Sequence, residues 1–367
     1  MADSMVGITM INRKYHLADP VILGRRDRKC VRNLRFLIII MITLFITTAC
    51  VTHSTIDEAY ISLTLSRIDN SSGKMYDAYY FINMTTKAAT LVYEIESSAQ
   101  YAMGAVSKEK DAVFFVQRTN YLGREIDQIY KHNRNTSETV LLPIPVEAVN
   151  SLFIVESKLF FVASLLNNFE LSFGYYDTEK GTLWLDENVD HDTLESVVCV
   201  SYEPITQQIY YGVISLKEDN DRLNAFYEER NTTPNSYYRR PPCVIYEYDI
   251  RGNRPKVFEV FDEISVTSFS VCENKMLVSF ILSKDEKRYV HLYTDYLSDM
   301  NYEQLDTTAK YIILAPDGKG LYYLSPRPYN NSKHQANALY YYDFERKIVY
   351  ELFSVDNAWI SNFYLCS

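Results

Sequence analysis

A weak repeat constrains this chain more than any other feature. Six short runs of aromatic and aliphatic residues each close on Asp or Asn, at Asn83, Asn133, Asp177, Asp249, Asp295 and Asp343. Their spacings are 50, 44, 72, 46 and 48 residues. A second series precedes them: AVFFVQ (112–117), KLFFVAS (158–164), QIYYGVIS (208–215), KMLVSFIL (275–282) and GLYYLSP (320–326). A third follows, as in AATLVYEI, GTLWLD and KIVYELF. Further strands come before most of the second series, such as VVCVSYEP (197–204) and KYIILAP (310–316). Each unit therefore holds four strands in about 45–50 residues, the size of one propeller blade. No segment of ten or more residues between them carries a clean helical period.

Tyr210-Tyr211, Tyr322-Tyr323 and Tyr340-Tyr341-Tyr342 set large rings on both faces of a strand. A sheet with one wet face would alternate, whereas blades stacked face to face are covered on both sides. The 32 tyrosines suit such strands, because the ring packs while the hydroxyl can stay hydrated. A two-sheet sandwich would use about seven to nine strands, far fewer than six such units imply. The expectation is an all-β, six-bladed propeller of four-stranded blades over residues 58–367. The first unit begins at YISLTLSR (60–67) without an innermost strand, and AWISNFYLCS (358–367) is a strand without a blade. Joining the two closes the ring and leaves no free inner edge.

Within the repeat, Ala315-Pro316-Asp317-Gly318-Lys319 leading into Gly320-Leu321-Tyr322-Tyr323 resembles the inter-strand turn of TolB-like propellers. Ser201-Tyr202-Glu203-Pro204 before Ile209-Tyr210-Tyr211 resembles a degenerate form of it. The resemblance covers two blade turns and implies a fold shared by many functions.

Charge is divided unevenly. Residues 1–50 carry eight Lys/Arg against Asp3, Asp19 and Asp27, leaving −15 of the net −10 on the remainder. So acidic a body repels phosphate backbones, which excludes nucleic acid as its partner. The basic region 1–35 precedes Phe36–Val51 (FLIIIMITLFITTACV), sixteen residues without a charge. Positive residues before an apolar run stay on the cytoplasmic side, so the propeller is expected outside the cytoplasm with 36–51 in the membrane. The length lies between a signal-peptide core and a full span, and both readings stay open, as does a buried apolar helix. Ile46-Thr47-Thr48-Ala49-Cys50 resembles a bacterial lipoprotein signal, with Thr47 where Leu is usual. That resemblance implies lipidation at Cys50, and a translation start near Val31 would give the signal an ordinary leader. Sequons at Asn70, Asn83, Asn135, Asn231 and Asn330 become glycosylation sites if the host is eukaryotic. Cys199, Cys243, Cys272 and Cys366 could form two bridges or serve as small buried hydrophobes.

The 72-residue spacing marks an insertion in the fourth blade, residues 216–242 (LKEDNDRLNAFYEERNTTPNSYYRRPP). It joins the second and third strands, on the face that carries the inter-blade connections. Tyr227, Tyr237, Tyr238, Arg239 and Arg240 give it the residue types of binding hot spots. A solvated surface insertion is the competing reading. The recurrent Asp and Asn residues read as turn formers bonding to their own backbone. The run Asp186-Glu187-Asn188-Val189-Asp190-His191-Asp192 reads as a solvated inter-blade loop. No Cys-x-x-Cys, Gly-rich phosphate loop, nucleophile elbow or properly spaced Asp-box occurs, so neither metal nor cofactor is expected. The function expected is a non-catalytic binding or scaffold module for a protein or glycan. The alternative is a glycan-processing hydrolase or lyase with carboxylates at the channel mouth.

Overall fold

Side chains alternate along a strand, and here both faces of each blade are buried. Tyr211 stacks on Phe173 of the preceding unit, with ring centroids 4.5 Å apart, while its neighbour Tyr210 meets Phe269 of the following one at 5.8 Å. Phe160 and Phe161 divide in the same way between two core clusters, as do Tyr322 and Tyr323. The doubled aromatics of the sequence are thus the seams between blades.

The computed structural model describes residues 59–99, 101–186, 194–233, 237–251, 254–282, 287–296, 302–305, 309–327 and 336–366. All belong to the unit Ser54–Ser367. Blade 1 contains β1 (Tyr60–Ile68), β2 (Met75–Asn83) and β3 (Ala89–Glu96). Blade 2 contains β4 (Gly104–Val106), β5 (Ala112–Tyr121), β6 (Arg124–Asn133) and β7 (Glu138–Leu141). Blade 3 contains β8 (Val146–Val155), β9 (Lys158–Leu165), β10 (Leu171–Asp177) and β11 (Thr182–Leu185). Blade 4 contains β12 (Glu195–Glu203), β13 (Gln208–Ser215), β14 (Cys243–Asp249) and β15 (Lys256–Phe261). Blade 5 contains β16 (Ile264–Cys272), β17 (Lys275–Leu282), β18 (Arg288–Tyr293) and β19 (Tyr302–Gln304). Blade 6 contains β20 (Lys310–Leu314), β21 (Gly320–Pro326), β22 (Asn337–Asp343) and β23 (Ile348–Phe353). The last strand, β24 (Ala358–Cys366), returns to β1 and pairs antiparallel from Tyr60↔Cys366 to Arg67↔Ala358. Six four-stranded sheets result, and the C-terminal strand closes the ring as the sequence predicts.

Hydroxyls and amides tie the blades at the inner strands. Tyr60 donates to Val106 O (2.9 Å), Val106 N–H donates to Ser62 Oγ (3.0 Å), and Leu314 N–H donates to Ser270 Oγ (3.0 Å). Asn337 bonds both the carbonyl and the N–H of Ile360. These bonds satisfy inner-edge backbone groups that would otherwise be buried without partners. Asn83, Asn133, Asp177, Asp249 and Asp343 accept from N–H groups two or three residues on, the turns anticipated for them.

One expectation is corrected and one open alternative is decided. Residues Leu216–Arg230 form a fifteen-residue helix, α1, although no helical period is legible there. None of its residues is buried, so it has no apolar face to write a period into the sequence. It starts because Ser215 caps it, accepting from Glu218 N–H, with Glu218 and Asp219 in the first turn and an Arg222–Glu218 pair at 2.8 Å. The bridges considered for the cysteines are also absent: Cys199, Cys243, Cys272 and Cys366 are free thiols. Cys199 and Cys243 press on opposite sides of Gly212, where a Cβ would stand 2.8 and 3.0 Å from their sulfurs. They sit on strands that both pair with β13, roughly 9–10 Å apart by strand spacing, beyond disulfide reach. Burial pushes Cys199, Cys272 and Cys366 up to about 12, leaving them as inert hydrophobes.

Among the described residues no helix is long and apolar enough to cross a membrane. Residues 36–51, Cys50, Asn330 and most of the acidic run 186–192 lie outside the described residues.

Candidate functional site

The antiparallel order gives the ring two unlike faces. Turns between first and second strands, and between third and fourth, share one face. Loops between second and third strands share the other with the inter-blade connections. Because α1 joins β13 to β14, it projects from the connection face.

The strap after α1 folds back on it. Tyr238 OH donates to the Asp219 carboxylate, and Arg222 donates to the Arg240 carbonyl at 2.5 Å. The Arg240 guanidinium lies 4.7 Å from the Tyr238 ring centroid, and that of Arg239 5.8 Å from Tyr237. Arg239 also pairs with Glu263 at 3.5 Å, beside the start of blade 5. Burial and the hydrogen bond to Asp219 raise the Tyr238 phenol to about 12. The structure therefore brings together four of the five residues singled out in the sequence, in two roles. Tyr238 and Arg240 brace the strap, while Tyr237, 40% exposed, remains available with Arg239. Tyr227 is 56% exposed on α1 itself. Of the sequons, Asn70 and Asn135 lie in exposed turns and Asn231 is the C-cap of α1, while Asn83 is half-buried.

The connection face shows a feature that spacing cannot reveal. Five innermost strands carry bulges near their start, at Glu147 and Asn150 in β8 and at Val198, Thr267, Tyr311 and Ser361 in the others. A bulge leaves one residue without a partner and re-aims its side chain. Val198 (38% exposed) and Tyr311 (52%) lie near the starts of their innermost strands, on the connection face. Three residues further along two of these strands, Phe153 and Tyr364 stack at 5.0 Å. They meet past blade 2, whose inner strand is only Gly104-Ala105-Val106, as buried members of one core cluster.

The opposite face holds a cleft of ≈ 690 Å³ lined by Tyr60, Lys108, Glu109, Lys131, Glu156 and Glu179, among others. It is polar, and Lys131 is partly used in a contact 5.7 Å from the Phe114 ring centroid. The first described strand begins beside it, at Tyr60. Among the described residues no three His, Cys, Asp or Glu side chains are grouped to hold a metal.

No protein-family description and no curated protein matches this chain. The fold does have solved likenesses. TolB from Acinetobacter baumannii is 11% identical, over 89% of this chain and 71% of that one, with a TM-score of 0.51. The β-propeller domain of the Trilobed protease from Pyrococcus furiosus is 14% identical, over 83% and 82%, at 0.46. Oligogalacturonate lyase from Vibrio parahaemolyticus is 13% identical, over 81% and 86%, at 0.39. At these identities the likeness is one of fold, and it agrees with the TolB-like turns read from the sequence.

Proposed function

We propose that this chain is a membrane-anchored, extracytoplasmic propeller that acts as a non-catalytic binding or scaffold module for a protein or glycan. One observation carries the reading: α1 is an ordered helix that buries none of its fifteen residues. Most helices are stabilised by a packed apolar face. This one adds nothing to the core and instead presents Tyr227, Tyr237 and Arg239 on the connection face. Blade 6 supports the scaffold side of the reading, since its outermost strand β23 exposes Ile348, Val349 and Tyr350 in succession.

Replacing residues 216–240 by Gly-Ser-Gly, which keeps the buried Pro241, is expected to leave the melting temperature within about 2 °C, because α1 buries none of its residues. Recovery of the partner crosslinked to the intact protein in its native host should then fail. Undiminished crosslinking would rule the insertion out. The same variant separates the second reading, a glycan-processing hydrolase or lyase, which draws on the carboxylates of the opposite cleft. Glycan cleavage that survives the deletion belongs to that cleft. The anchor is checked by fractionating the native protein: it should partition with membranes and be released by detergent but not by salt. Recovery in the aqueous phase would overturn it.

A further inference from the structure

Tyr311 is an outlier among the residues with left-handed backbone. Most others occupy hairpin turns or the residue just before an innermost strand. Tyr311 has φ +52° inside β20, at a bulge. For an aromatic side chain this is a costly conformation, of a kind that concentrates at ligand sites. Its ring is half in solvent on the connection face, and its phenol is within electrostatic reach of Arg288 and of the buried Tyr364.

Arg288 begins β18 and reaches across blade 5 to the seam with blade 6. Its Nη1 lies 3.5 Å from Thr267 Oγ1 and 3.5 Å from the Ala309 carbonyl oxygen, both at the limit of a hydrogen bond. Thr267 is itself the bulge residue of β16. The guanidinium is half-buried, and among the described residues no carboxylate lies within ion-pair distance of it. Burial lowers its pKa, and the nearby Tyr311 phenol offsets only part of that cost. Among the described residues this planar fork of five donors makes only these two long contacts, which leaves most of its hydrogen-bonding capacity unused there.

We infer that Arg288, Thr267 and Tyr311 form an anion subsite on the connection face that binds the carboxylate of a ligand. The guanidinium takes the two oxygens side by side, and the Tyr311 ring walls the group behind the carboxylate. Thr267 Oγ1 donates to the Ser279 carbonyl at 3.1 Å and accepts from Arg288, so it positions the guanidinium. A monoanion suits the site better than a phosphate dianion. A single cation serves it, and the surrounding body carries −15. The carboxylate could come from an acidic sugar or from a peptide C-terminus, and the test separates the two. The subsite does not depend on α1, so it can stand or fall apart from the reading above.

The experiment is calorimetric titration of the full-length chain in detergent with D-glucuronate and with N-acetyl-L-leucine, each against its uncharged counterpart, D-glucose or N-acetyl-L-leucinamide. At least one acid should bind tenfold or more tightly than its counterpart, and the acid that does so names the source. Arg288→Gln should abolish that preference, and Arg288→Lys should retain a fraction of it. Tyr311→Gly relieves the left-handed strain, so it should keep or raise the melting temperature while weakening the acid at least fivefold. That opposition distinguishes a ligand role from a structural one. The inference is overturned if neither acid is preferred up to 10 mM, or if the preference persists in a folded Arg288→Gln protein.

Discussion

A chain truncated after Asn357 is expected to lose its cooperative fold altogether. The ten residues removed contain β24, which supplies the fourth strand of blade 1 and pairs with β1 along its length. They also remove Ile360, Phe363, Tyr364, Leu365 and Cys366 from the core, all buried. Deleting one large buried side chain costs about 2–5 kcal/mol, and the whole net stability of a domain is only about 5–15 kcal/mol. The loss of five such side chains and an entire hydrogen-bonded ladder cannot be absorbed. Urea titration followed by near-ultraviolet dichroism should show no sigmoidal transition for the truncated protein. A cooperative melt within about 10 °C of the intact chain would mean that the ring closes by other means.

Phe173→Ala is expected to be the most damaging single truncation among the seams. The ring is fully buried, stacks on Tyr211 at 4.5 Å, and touches Phe160, Trp184 and Tyr248 at 6.0–6.2 Å between centroids. Those partners belong to blades 3 and 4, so the cavity opens at a junction that neither blade can collapse alone. About 3–5 kcal/mol of destabilisation follows, or a fall of roughly 10 °C for a domain of this size. Phe173→Leu keeps much of the volume and should cost less than half as much. Trp184 reports the change directly, since its edge contact with Phe173 is lost and its emission should shift to the red. A melting temperature within 2 °C of wild type would show that the seam repacks.

Much of this architecture was legible along the chain because its determinants are local. A strand's two-residue period, an Asp or Asn that bonds its own turn, and doubled aromatics for two covered faces all act within a few residues. The unpaired strand at one end and the strandless blade at the other completed each other by counting alone. The insertion was also visible, as a gap in the spacing, with Tyr237, Arg239 and Tyr227 among its exposed residues. Its helix was not, because Leu216–Arg230 buries nothing and therefore leaves no hydrophobic period to detect.

Only the tertiary structure could assemble the anion subsite. Thr267, Arg288 and Tyr311 lie on three strands of two blades, and each is unremarked in its own segment. Arg288 reaches Thr267 across blade 5 beside the bulge of β16, and β20 carries a second bulge at Tyr311, each shifting register by one residue. The split between Tyr238 and Arg240 as braces and Tyr237 as a free surface likewise depends on where the strap lands on α1. The sequence by itself determined which strands form and how many blades they make, since hydrophobic period and turn chemistry are short-range. The closing of the ring decided which polar groups face one another, because long-range packing sets those distances and no local spacing encodes them.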